Sequence, residues 1–132
     1  MKKILAVVFI LLVASVLFGT QLLAQDKPPV KEMSISGEVV DVACYLIGDA
    51  KGADHAKCAA ACAKNGSALG ILTADGKLYV SLLPDDHKNS PNAILMDHIG
   101  HAVEAKGLVR TKGGVQGMMI KSVAMAKMEQ KK

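Results

Sequence analysis

Hydrophobic and polar positions along the chain fall into two regimes. Residues 4–18 are almost wholly apolar behind Met1-Lys2-Lys3, whereas from residue 33 onward apolar positions alternate in short runs broken by glycine, proline and aspartate. The first regime has the basic start and apolar stretch of an export signal, with Leu22-Leu23-Ala24 as a processing site before Gln25. An uncleaved membrane anchor is the alternative reading of residues 1–24. Residues 25–32, with Pro28-Pro29, read as a polar tether, residues 33–126 as one domain, and residues 127–132 as a flexible tail.

Within that domain the periodicity predicts mostly strands. Residues 33–43 alternate through Ile35, Gly37 and Val39 and then change parity to Val40, Val42 and Cys44, as a bulge near Val39 would cause. Gly48 to Gly52 is a loop. Asp54 is placed to cap a helix that runs to Lys64 and leaves through Asn65-Gly66. Two short strands follow, 68–73 and 77–83, joined by the hairpin signal Ala74-Asp75-Gly76, with Leu78, Val80 and Leu82 on the expected buried face. After the polar stretch 85–89, Ser90-Pro91 starts a short helix that carries Ile94, Leu95 and Ile99 and stops at Gly100. Residues 101–110 and 115–126 are the last strands. The order predicts a mainly β fold with short helices, an OB-like five-stranded small barrel with a helical insertion after the first strand.

Composition sharpens this picture. Removing residues 1–24 takes two lysines and no acid, leaving 14 basic against 12 acidic residues. Both phenylalanines leave as well, so Tyr45 and Tyr79 are the only aromatic residues of the domain. The core must therefore be aliphatic, and a small barrel built this way gains from any metal or covalent crosslink. Nucleic-acid binding is disfavoured, because base stacking needs aromatic platforms and the residual charge is nearly balanced. The chain also lacks a phosphate-cradling glycine loop, a nucleophile elbow and a haem attachment sequence, which makes an enzyme the less favoured class.

The chemistry concentrates in three cysteines, an odd number for an exported protein. His55, Cys58 and Cys62 form an H-x2-C-x3-C run. At about 100° per residue their side chains fall within an arc of roughly 60° on a helix. With Cys44 they make a Cys3His inventory that suits zinc or copper, for a structural or a metal-handling purpose. The alternative is a disulfide from Cys44 to Cys58 or Cys62 that braces a protein- or ligand-binding module, though a disulfide needs no histidine. A thiol redox carrier built on Cys58 and Cys62 is a third reading. Methionines 118, 119 and 125 invite copper, though methionine in a core without phenylalanine ordinarily fills gaps. His98 and His101 have the spacing of a second, weaker metal pair, and His87 falls in a loop.

The segments Gly37-Glu38-Val39-Val40-Asp41 to Cys44-Tyr45 and His55 to Cys62-Ala63-Lys64-Asn65-Gly66 resemble a group of small exported bacterial proteins without an assigned activity. These share a G-x-V-V-D-x-x-C-Y opening and an H-x2-C-A-x2-C run. The resemblance implies that Cys44, His55, Cys58 and Cys62 belong together. The expected partners are a metal ion and another envelope protein, with membrane contact only through the N-terminal segment and a periplasmic or secreted location.

Overall fold

A computed structural model describes residues 29–84 and 87–126. The expected signal segment 1–24, residues 25–28 of the tether and the tail 127–132 lie outside the described residues. The element order is β1 (Lys31–Asp41), α1 (Val42–Gly48), α2 (Ala56–Lys64), β2 (Leu69–Leu72), β3 (Leu78–Ser81), β4 (Ala102–Lys112) and β5 (Val115–Met125). Single-turn 3₁₀ helices cover Ala53–His55 and Met96–His98. The strands close into a barrel in the order β1-β2-β3-β5-β4. All neighbours are antiparallel except β3 and β5, which run parallel. This is the OB-like five-stranded barrel that the strand order predicts, with the helical insertion after its first strand.

β1 is shared between two partners, pairing with β4 from Lys31 to Glu38 and with β2 from Glu38 to Asp41. The parity change seen in the sequence occurs where that hand-over takes place, and Val39, Val40 and Asp41 are all buried there. The register irregularity lies instead between Lys106 and Gly107, where β4 meets β5. A Cβ at Gly107 would stand 2.1 Å from the Met119 carbonyl oxygen, so only glycine lets the two backbones approach this closely.

The barrel interior is aliphatic, as the composition requires. Val39, Leu69, Ile71, Val103, Ala105 and Met118 are fully enclosed, and Ala59 and Ala63 of α2 join the same cluster. Met118 thus fills core space, and Met96 packs against it from the side. On β3 the expected face is inverted. Tyr79 and Ser81 point inward, Leu78 and Val80 are half-covered, and Leu82 is exposed. The reason is that β3 carries apolar residues at most positions on both faces. The outer face over Gly70 is covered by Leu78 and by Val42 of α1, while the Ser81 hydroxyl is satisfied by the Pro91 carbonyl at 2.6 Å.

The predicted helix over 90–99 is a run of turns ending in one 3₁₀ turn. Asn92 explains this. Its side chain accepts from the Leu69 amide at 2.9 Å and donates to the carbonyls of Ser67 at 2.7 Å and Ala63 at 3.4 Å. The segment is therefore anchored across the barrel end by a buried amide, which competes with regular helix. Asn92 also ties the exit of α2 to the start of β2, and so fixes where the cysteine helix sits.

Candidate metal centre

The first strand ends at Asp41, and the chain then enters a helix where the sequence pattern suggests continued strand. Asp41 is extended (φ −75°, ψ 122°) and its Oδ1 accepts from the Cys44 amide at 2.8 Å, the geometry of an N-cap. One cap hydrogen bond thus turns the chain into α1 and carries Cys44 from the expected strand end into the first helical turn. The helix stops after seven residues at Asp49, whose left-handed backbone (φ 50°) returns its amide to the carbonyls of Cys44 and Tyr45. No residue of α1 is buried. Its placement rests on the cap, on the Val42 amide bonded to Ala68 O at 2.9 Å, and on what Cys44 meets.

Cys44 meets Cys62. The two sulfurs lie 3.9 Å apart, and a carboxylate oxygen of Asp41 completes a group whose donor atoms are all within 4.8 Å of one another. Among the described residues no other set of three His, Cys, Asp or Glu side chains converges in this way. Cys62 reaches the point because α2 packs its Ala59 and Ala63 face into the core and leaves Cys62 half-buried at the margin toward α1. Gly100 permits the close seating of that helix. Its φ is 76°, and a Cβ there would press on Gly52 O at 2.9 Å and Ala56 Cβ at 3.1 Å.

The electrostatics of the three donor groups follow from burial and from the hydrogen bonds around Asp41. Asp41 is 1% exposed. Burial by itself would raise its pKa, but the Ser67 hydroxyl and the amide and thiol of Cys44, with the Ala43 amide, outweigh this and hold the carboxyl below its ordinary value. The group is therefore a buried carboxylate anion. Its Oδ1 is engaged by the Cys44 amide, while Oδ2 makes no hydrogen bond of good geometry. The same carboxylate, with burial and Cys62 adding to it, pushes the Cys44 thiol up to about 12. An anion, a thiol that its anionic neighbour keeps protonated, and a second sulfur are what a divalent ion would draw together, since a coordinating thiol gives up its proton to the metal.

The other two expected ligands stand outside this group. Cys58 is exposed, one helical turn before Cys62 on α2. His55 ends the 3₁₀ turn that precedes α2, and its ring lines a small cavity shared with Val40, Asp41, Ala59 and Ile99. Its Nε2 is buried and has no hydrogen-bond partner. Only Cys58 and Cys62 lie on the regular helix, His55 falling in the 3₁₀ turn before it, and of the three only Cys62 meets Cys44 of α1. Of the weaker candidates, His98 and His101 belong to no convergent ligand group of three.

Asp41 is the member of this convergent group that cysteine and histidine spacing alone does not reveal. Its signal is an aspartate three residues before Cys44 at the end of an apolar strand, the spacing of a helix cap. Compared with known proteins, the chain matches no family model, no curated protein and no solved structure.

Proposed function

We propose that this protein binds one zinc-type divalent ion between α1 and α2, through the thiolates of Cys44 and Cys62 and the carboxylate of Asp41. The observation that carries the reading is the 3.9 Å separation of the two sulfurs beside a buried carboxylate whose Oδ2 makes no hydrogen bond of good geometry. A disulfide requires about 2.05 Å between sulfurs. Two thiolates at about 2.3 Å from one tetrahedral ion are about 3.8 Å apart, close to what is found.

The donor set favours zinc over copper(I). Thiolates suit both, but a carboxylate is a hard ligand that copper(I) accepts poorly and zinc accepts readily. Cys58 is the thiol nearest in the chain to complete four donors, one turn away on the same helix, and its exposure makes that position exchangeable with an outside ligand. His55 takes no part in this set. Because α1 has no buried residue of its own, the ion would also pin that helix to the barrel. On this reading the domain is an exported metal-binding module, held at or released from the membrane through its N-terminal segment.

The test is metal analysis of the reduced full-length chain, with thiol titration before and after chelation. One zinc per chain is expected, with thiols that become fully reactive only after the chelator acts. Zinc at about 100 times its dissociation constant should stabilise the fold by about 2.7 kcal/mol. For a domain of this size that is a rise in Tm of at least about 10 °C. A chain that retains no zinc and shows no thermal shift would overturn the reading.

A further inference from the structure

The metal donors are also a pair of thiols within reach of one another. We propose that Cys44 and Cys62 form a reversible dithiol–disulfide pair, and that its oxidation by an organic disulfide empties the metal site. The inference rests on the metal reading above and adds its regulation.

Geometry selects this pair from the three combinations. The Cys44 and Cys62 sulfurs are already in contact at 3.9 Å, on two different helices. Bond formation needs an approach of roughly 2 Å, to the disulfide length of about 2.05 Å. α1 can supply this, because it contributes no buried residue whose packing would resist a small shift. Cys58 and Cys62 share one regular helix. There, residues four apart hold their Cβ atoms about 5–6 Å from one another, whereas a disulfide needs about 3.5–4.5 Å. Cys44 and Cys58 are not drawn together, since Cys58 lies outside the convergent group.

The reaction balances as an ordinary exchange. One of the two thiolates attacks a sulfur of the external disulfide, forming a mixed disulfide and expelling one thiolate. The second protein thiolate then attacks the protein sulfur of that mixed disulfide, forms the Cys44–Cys62 bond and expels the other thiolate. Two electrons pass from the protein sulfurs to the external disulfide. The ion loses two of its anionic ligands, the Asp41 carboxylate and the exchangeable fourth position no longer hold it, and it departs.

The experiment uses the reduced full-length chain loaded with zinc and exposed to oxidised glutathione. Released zinc is followed with a coloured chelator, and the chain is alkylated and mapped by peptide mass. Zinc release should keep step with the loss of two protein thiols, and the map should show a peptide joined through Cys44 and Cys62. A reductant should restore zinc binding. Removing both thiolates should weaken zinc binding by more than the roughly 10–100-fold lost when a supporting group is removed. Full retention of zinc in excess oxidised glutathione would overturn the switch and leave the metal reading standing. So would a crosslink that includes Cys58, or glutathione remaining attached to the protein. A chain that never held zinc would overturn the metal reading, and the gating with it.

Discussion

Replacing Cys44 or Cys62 by serine should weaken zinc binding by more than about 100-fold while leaving the metal-free fold nearly as stable as before. The two halves of this expectation come from different parts of the structure. A hydroxyl is not deprotonated by zinc as a thiol is, so each variant loses one of the anionic ligands on which the site depends. The loss should exceed the roughly 10–100-fold seen when only a supporting group is removed. Folding is another matter. Both cysteines are half-buried, and Cys44 sits on a helix with no buried residue. Substitutions away from packed or networked positions usually change stability by less than about 0.5 kcal/mol. Isothermal titration with zinc, beside thermal melts with and without the metal, separates the effects. The zinc-dependent rise in Tm should vanish in both variants while the metal-free melt moves by only a few degrees. A metal-free melt that collapses in Cys44→Ser would mean that the sulfur contact is part of the packing itself.

Asn92→Ala should give the opposite profile. Asn92 is 7% exposed and holds the Leu69 amide and the Ser67 carbonyl with its side chain. Removing it leaves a buried donor without a partner, at about 1–3 kcal/mol, and a part-buried acceptor at the lower end of that range. The Ala63 carbonyl is less affected, since it also accepts from the Gly66 amide at 3.1 Å. A total near 3 kcal/mol corresponds to a fall in Tm of more than about 10 °C for a domain of this size. Because these bonds locate the end of α2 that carries Cys62, zinc affinity should fall as well, though less than in Cys44→Ser. Differential scanning calorimetry of the metal-free protein provides the check. A melt unchanged by Asn92→Ala would show that the barrel end is held without this bridge.

The strand order was legible because period-two alternation and turn residues survive in a small barrel. Asp75-Gly76 and Lys112-Gly113-Gly114 mark turns that the structure contains, with Gly76, Gly113 and Gly114 all at positive φ. Three features were hidden for separate physical reasons. α1 opens with Val42, which reads as strand, and only the Asp41 cap turns the chain. The face of β3 is inverted because its outer side is also covered by apolar neighbours, so alternation carried no preference. The helix expected over 90–99 gives way to turns because the Asn92 amide bonds across the barrel.

The site was half-legible in the same sense. Cys44 and Cys62 converge as the cysteine spacing suggested. Asp41 was concealed by its second role, since a capping aspartate looks sufficiently explained by the amide it accepts from. His55 lies in the 3₁₀ turn before α2, off the helical arc that its spacing suggested. Cys58 shares the helix with Cys62, but a shared helix does not bring side chains to one point unless a neighbouring element faces all of them. Here α1 is too short to do so.

The central claim is that Asp41, Cys44 and Cys62 share one ion. X-ray absorption at the zinc edge of the reduced, zinc-loaded chain examines it directly. The expected shell contains at least two sulfurs at about 2.3 Å and at least one oxygen at about 2.0–2.2 Å. A shell made only of oxygen and nitrogen, with no sulfur, would contradict it.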